Sequence, residues 1–202
     1  MPSRVLGDPY YRKAKSLGYR SRAALKLLEL SKRYKIMKEG DVVLDVGAAP
    51  GGWLQVARDI VGERGKVIGV DISPLHPLNY ENVYFIRGDI KDKSVIERII
   101  ELSNGSIDVI LSDIAPKFTG IHELDHARQI ALTRHVISLF PILLKKNGNA
   151  LMKIIMGSEA NDLVREIKGR FIYTKLYKPK ASRLHSSEIY LICKGWMGNK
   201  TI

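Results

Sequence analysis

A short apolar run, Val42-Val43-Leu44, leads directly into Asp45-Val-Gly-Ala-Ala-Pro-Gly-Gly-Trp53, and residues 54–61 continue with helical periodicity. Strand, glycine turn and helix in succession form the opening unit of a parallel α/β sheet. A parallel partner strand needs a crossover, and the helix supplies it. Glycines in such a turn let backbone approach a bound group closely, because no Cβ atoms intervene. The turn therefore predicts a site for a nucleotide-like cofactor at the carboxyl ends of the strands.

The pattern repeats along the chain. Strands are expected at 42–46, 66–71, 83–87, 107–112, 149–155, 171–177 and 189–194, and helices at 52–61, 92–102, 123–145 and 158–168. Pro141 lies inside the third of these helices and should kink or split it. Only the loop 178–188 joins the last two strands, so they should pair antiparallel. A seven-stranded, mostly parallel sheet with an antiparallel last strand resembles the methyltransferase variant of the Rossmann-like α/β architecture. Ahead of it, 8–18 and 22–35 read as basic helices, the second capped by Ser21. The expected organisation is a basic helical extension at 1–38 attached to one domain at 39–202.

Charge separates these two parts. Residues 1–38 carry eleven Lys/Arg against Asp8 and Glu29, +9 of the chain's net +12. A basic arm on a nearly neutral body points to a polyanionic partner, with RNA the first candidate. Cys193, the only cysteine, excludes an intramolecular disulfide and reads as a buried thiol in a strand. Without a signal-peptide pattern or an apolar run of spanning length, a cytoplasmic protein with no membrane association is expected, as a monomer.

The turn at 47–52 lacks both the spaced glycines of dinucleotide dehydrogenases and the Gly-Lys-Ser/Thr of a phosphate loop. Asp71, at the end of the second strand, can accept hydrogen bonds from two ribose hydroxyls. Asp89, after the third, can accept from an adenine amino group or cap the helix that follows. S-adenosyl-L-methionine carries a sulfonium cation and no phosphate. A turn flanked by Asp45 and Asp113 suits that charge. The cofactor candidates are Asp45, Gly47, Gly51, Gly52, Trp53, Asp71, Asp89 and Asp113.

Several segments in order then resemble one family, the FtsJ/RrmJ (RlmE) ribose 2'-O-methyltransferases. The turn at 45–53 looks like its cofactor motif. Ser21-Arg22-Ala23-Ala24-Leu25-Lys26-Leu27 resembles its basic helix, and Leu111-Ser112-Asp113-Ile114-Ala115-Pro116 its fourth-strand motif. Leu151-Met152-Lys153 and Ser186-Ser187-Glu188-Ile189-Tyr190 resemble its last two motifs. The match runs from about Tyr10 to Lys194. The resemblance implies a catalytic tetrad of Lys26, Asp113, Lys153 and Glu188, with S-adenosylmethionine as methyl donor and a uridine of 23S rRNA, or the large ribosomal subunit, as acceptor. A transfer-RNA ribose methyltransferase is the rival within the class. A non-catalytic RNA-binding assembly factor is the rival outside it.

In an in-line displacement by a ribose oxygen, Lys153 could act as a neutral base or as a charged stabiliser of the developing alkoxide. A neighbouring Asp113 opposes the first, and both stay open on sequence. Glu188 is expected to orient a lysine or the ribose. His122-Glu123-Leu124-Asp125-His126 matches a zinc-protease pattern, but without a third ligand at a familiar spacing it reads as the polar first turn of a helix; no metal is expected. For RNA, Arg12, Lys13, Arg20, Arg22 and Lys26 of the arm, and Lys180 and Arg183 of the 178–188 loop, are expected to flank the catalytic edge. Arg4 and His185 belong to the same two groups.

Overall fold

The computed structural model describes residues 8–117, 119–183 and 186–198. Arg4 and His185 lie outside them. Seven strands form one sheet in the order β3-β2-β1-β4-β5-β7-β6. They are β1 (Val42–Val46), β2 (Lys66–Asp71), β3 (Val83–Arg87), β4 (Ile107–Ser112), β5 (Leu144–Ile155), β6 (Phe171–Tyr177) and β7 (Glu188–Trp196). β7 runs antiparallel to both neighbours, and the pairs among β1–β5 are parallel. This is the expected seven-stranded α/β sheet.

The helices are α1 (Pro9–Ser16), α2 (Ala23–Tyr34), α3 (Gly52–Val61), α4 (Lys93–Ser103), α5 (His122–Ser138), α6 (Phe140–Leu143) and α7 (Ala160–Lys168). Period-2 alternation divides the sheet's side chains between two cores. Leu44, Ala150, Met152 and Leu191 pack with α4, α5 and α7. Val43, Leu151, Tyr190 and Ile192 pack with α2 and α3. Ala24, Leu27 and Leu30 of α2 are completely buried in the second core, so this basic helix is fastened by an apolar stripe while Lys32 and Arg33 stay exposed.

Three local expectations change. Ser21 does not cap α2: Arg22 holds the N-cap position without a side-chain hydrogen bond, and only the Ser21 carbonyl accepts, from the Ala24 N–H. The Ser21 side chain instead fills the space beside Gly52, where a Cβ would lie 2.3 Å from its Oγ. The helix expected at 123–145 stops at Ser138. Pro141 has no N–H to continue the ladder, so one short turn follows, and β5 starts at Leu144 instead of 149. Asp89 does not cap α4, whose N-cap residue is Asp92.

Candidate active site

The carboxyl ends of β1, β2, β3 and β4 open on a cavity of about 410 Å³. Gly47, Asp71, Asp89 and Asp113 line it together, as do Lys91 and Lys117, which sequence reasoning did not single out. Asp71 Oδ2 accepts from the Ala49 N–H at 2.9 Å and Oδ1 from the Ser73 N–H at 2.8 Å. Each oxygen keeps a lone pair free. Asp89 accepts from the Lys91 N–H at 3.0 Å, a local turn that holds its carboxylate at the cavity wall.

Asp45 lies beneath this cavity, fully buried, with neither carboxyl oxygen hydrogen-bonded. Burial, then the charges of Asp113 and Asp71, push its carboxyl well above the usual carboxylate range. An orphaned buried carboxyl, below a cavity whose three acids outnumber its two lysines, fits a ligand that brings positive charge. These residues therefore fit S-adenosylmethionine: Asp71 and Asp89 to hold a nucleoside, Asp45 and Asp113 to complement a sulfonium or ammonium.

Gly51, Gly52 and Trp53 face the protein, while Gly47 meets both the cavity and the backbone. A Cβ on Gly47 would sit 2.7 Å from the Ile114 backbone, and Gly47 and Gly51 both have positive φ. Gly51 abuts Arg20, and Gly52 abuts Ser21. Trp53 donates its indole N–H to the Ala23 carbonyl at 2.9 Å and packs its ring against Tyr190. Gly51, Gly52 and Trp53 thus dock α2 on the turn and do not line the cavity.

The four expected catalytic side chains come together next to Asp113. Lys153 Nζ donates to the Asp113 carbonyl oxygen at 2.6 Å and lies 3.2 Å from its Oδ1. Glu188 Oε2 accepts from Lys26 Nζ at 2.8 Å. Burial raises the Glu188 carboxyl, but the charge and hydrogen bond of Lys26, with the charge of Lys153, more than offset it and leave it below its ordinary value. Both lysines are nearly enclosed, Lys26 at 7% and Lys153 at 6% exposure, so their partners decide their cost of burial.

Two further residues complete the arrangement. Tyr190 sits opposite Lys153 in the β5–β7 register and donates its hydroxyl to Asp113 Oδ1 at 2.9 Å. Its ring centroid lies 5.6 Å from Lys26 Nζ. Burial, then Asp113 and Glu188, push its phenol well above the ordinary value, so it is a proton donor here and not a base. Gln129 of α5, fully buried, donates its side-chain amide to the carbonyls of Ile114 at 3.0 Å and Lys153 at 3.1 Å. It ties the end of β4 to β5. Tyr190 was accessible from the even spacing Glu188–Tyr190, which puts both on one face. Gln129 carried no comparable signal.

The remaining candidates divide by what their charges already hold. Arg20 donates to the carbonyls of Pro50, His76 and Pro77, clamping the cofactor turn to a neighbouring loop. Arg22 is bound to Asp8 and the Ala181 carbonyl. Arg12, Lys13, Lys180 and Arg183 are exposed. His126 places its ring nitrogens 3.1 Å from the Ile155 carbonyl oxygen and 3.2 Å from the Glu159 nitrogen, while His122 is exposed. The two histidines of the zinc-like pattern therefore do not act on one ligand. Cys193 is buried in β7, its thiol raised by burial.

Comparison with known proteins places the chain in a family. A family model described as FtsJ-like methyltransferase matches residues 19–196. A "Ribosomal RNA large subunit methyltransferase E" of Methanobrevibacter smithii is 45% identical over 92% of this chain and 88% of its own length. The protein of the same name from Methanocaldococcus jannaschii is 42% identical over 96% of this chain and 80% of its own. The crystal structure of a "ribosomal RNA methyltransferase, putative" from Plasmodium falciparum superposes with a TM-score of 0.78 at 34% identity, covering 90% of this chain and all of that one. A fibrillarin from Methanococcus jannaschii, 18% identical with a TM-score of 0.54 over 80% of this chain and 69% of its own, shares the fold.

Proposed function

The chain belongs to the FtsJ-like methyltransferase family, and on that footing we propose that it methylates a ribose 2'-oxygen of large-subunit (23S) ribosomal RNA, a uridine, with S-adenosylmethionine as donor. The observation that carries this reading is Lys153 held on Asp113, the residue that also lines the cofactor cavity. A chemical group for the acceptor oxygen and a wall of the donor site are thereby one unit.

When bound, S-adenosylmethionine supplies an electrophilic methyl on a sulfonium. The chain's own residues supply position and charge. Asp71 and Asp89 would hold the nucleoside, and Asp45 would face the cationic portion. Lys153 donates to the Asp113 carbonyl oxygen and pairs with its Oδ1, which leaves donor capacity for the ribose oxygen. Paired with the Asp113 carboxylate, Lys153 is placed as a charged stabiliser of the developing alkoxide and not as a base. Tyr190 shares Asp113 Oδ1 and keeps that carboxylate from turning away. Lys26, fixed by Glu188, adds a second cation at the same place.

Incubation with labelled S-adenosylmethionine and either 23S rRNA, large subunits or transfer RNA, followed by mapping of 2'-O-methyl positions, tests the proposal. Label on a ribose of large-subunit RNA supports it. Label on a base, or on transfer RNA alone, refutes the site or the substrate. A pH–rate profile with no lysine-like rise is expected for a charged Lys153.

A further inference from the structure

The catalytic centre occupies one end of a longer basic and aromatic stripe along the sheet. On β5, β7 and β6, Lys153, Tyr190 and Tyr177 lie side by side in register. Four residues away, Tyr173 of β6 pairs with Lys194 of β7 on the same face, about 13 Å along the strands. Helix α2 covers the first level. Lys26 lies beside Tyr190, Arg33 places its guanidinium 5.0 Å from the Tyr177 ring centroid, and the helix then ends at Tyr34. Beyond it the sheet face opens into a pocket of about 650 Å³ on the edge opposite the active site.

This distal pocket is walled by Tyr34, Tyr173 and Ile172 and ringed by Arg33, Lys35 and Lys194. No acidic residue lines it among the described residues, and neither Lys35 nor Lys194 has an ion-pair partner there. Its polar amide at Asn149 is already spent, donating to the Ile36 carbonyl and accepting from the Gly195 N–H. Lys35 is exposed and Lys194 half-buried at this pocket.

Two grooves connect this pocket with the catalytic side. One, of about 880 Å³, shares Arg33 with the pocket and runs between α1 and α2 to Tyr10 and Lys180. The next, of about 400 Å³, shares Tyr10 and Lys180 and reaches Arg22 and Arg183. The acids along this course are occupied from within: Glu29 accepts from the Tyr177 hydroxyl at 2.7 Å and the Lys180 N–H at 2.9 Å, and Asp8 pairs with Arg22.

We propose that a single-stranded stretch of RNA flanking the target runs along this track, and that the pocket formed by Tyr173, Lys35 and Lys194 is a nucleotide subsite on the far edge of the sheet. Cations match the phosphates, and Tyr173, 40% exposed, offers a ring to an unstacked base. Glu29 keeps Tyr177 and the 177–180 chain in place beneath the strand. The proposal rests on the reading of this protein as an RNA methyltransferase, and it adds that binding energy comes from nucleotides far from the methylated one.

Fluorescence anisotropy with a poly-pyrimidine RNA of about twelve nucleotides tests it directly, whether or not that RNA is methylated. A Lys35→Gln/Lys194→Gln variant should lower the salt slope of binding by about 1.4, at ~0.7 per phosphate contact on a single strand. Tyr173→Ala should weaken binding roughly tenfold. A four-nucleotide RNA, too short to span the track from Arg22 to Lys194, should lose less than twofold. Cofactor affinity and melting temperature report that both variants fold. Unchanged salt slope and affinity on the longer RNA would overturn the subsite, as would equal losses on both RNAs. Absence of methyl transfer by the unaltered protein to any ribosomal RNA would instead overturn the functional reading, and leaves the binding test intact.

Discussion

The cofactor half and the acceptor half of the site are built in opposite ways. The cofactor cavity is lined by consecutive strand ends, and its parts follow one another in the chain from Gly47 through Asp71 and Asp89 to Asp113. The acceptor half is assembled from distant pieces: Lys26 meets Glu188 across 162 positions and Lys153 meets Asp113 across 40. The cofactor half holds one uncompensated acid, Asp45, unpartnered beneath the cavity, while Asp89 pairs with Lys91. The acceptor half is compensated, each lysine set on a carboxylate. One half is prepared to receive a cation. The other is prepared to hold its cations still while an oxygen acquires charge.

The sharpest way to break this division is Lys153→Ala. If the acceptor half contributes only to chemistry, methyl transfer should fall about 10²–10³-fold, some 3–4 kcal/mol of transition-state stabilisation. Cofactor affinity, measured by calorimetry, should change less than threefold. A comparable loss of affinity would mean that the halves are not separable.

Gln129→Leu tests the connection between the halves. It strips the donor from the Ile114 and Lys153 carbonyls inside the core. An unsatisfied buried carbonyl costs on the order of 1–3 kcal/mol, so about 2 kcal/mol of unfolding free energy should be lost in urea. The rate should fall while the KM for cofactor stays constant, since β4 and β5 would no longer be fixed against each other. Wild-type stability would show that water or rearrangement replaces the amide.

The same contrast explains how much the sequence disclosed. A contiguous turn such as 45–53 can be read because its neighbours in the chain are its neighbours in space. Even there Gly51, Gly52 and Trp53 had a purpose visible only in three dimensions, the seating of α2. Ser21 has the residue type of a helix cap, yet packing against Gly52 took its side chain away from the helix end. Tyr190 and Gln129 look like ordinary members of a strand and a helix. The spacing of Glu188 and Tyr190 puts both on one face, but what Tyr190 meets there depends on the register of β7 on β5, and the role of Gln129 depends on the position of α5 over β4. On sequence Arg20 looks available to RNA because it stands beside a basic helix. Its three carbonyl acceptors belong to chain segments that follow it by thirty positions or more.

On the cofactor side, Asp45→Asn should lower affinity for S-adenosylmethionine about tenfold, near 1.4 kcal/mol. The raised Asp45 carboxyl also gives this half its own pH dependence. A carboxyl whose folded value is raised contributes stability below the ordinary carboxylate range and loses it as pH rises toward the folded value. A bound cation reverses the preference by favouring the ionised form. Cofactor affinity of the parent protein should therefore climb through that window as apo stability declines, and both trends should flatten in Asp45→Asn. Parallel pH curves for parent and variant would remove Asp45 from the cofactor's surroundings.

Tyr190→Phe is the finest cut, because it removes one hydroxyl and leaves the ring on Trp53. Asp113 Oδ1 then loses a donor that it shares with Lys153. One neutral-to-charged hydrogen bond is worth about 1–2 kcal/mol at most here, so a five- to tenfold fall in kcat is expected with cofactor KM unchanged. The direction of any accompanying pH effect distinguishes two roles for the phenol. If it only packs, the pH–rate profile keeps its shape. If it restrains Asp113, the freed carboxylate draws more tightly on Lys153, and the ribose oxygen must compete for that ammonium. Lys153→Arg would then be more damaging in the Tyr190→Phe background than the two losses combined predict. A double-mutant cycle that closes within about 0.5 kcal/mol would assign Tyr190 to packing alone.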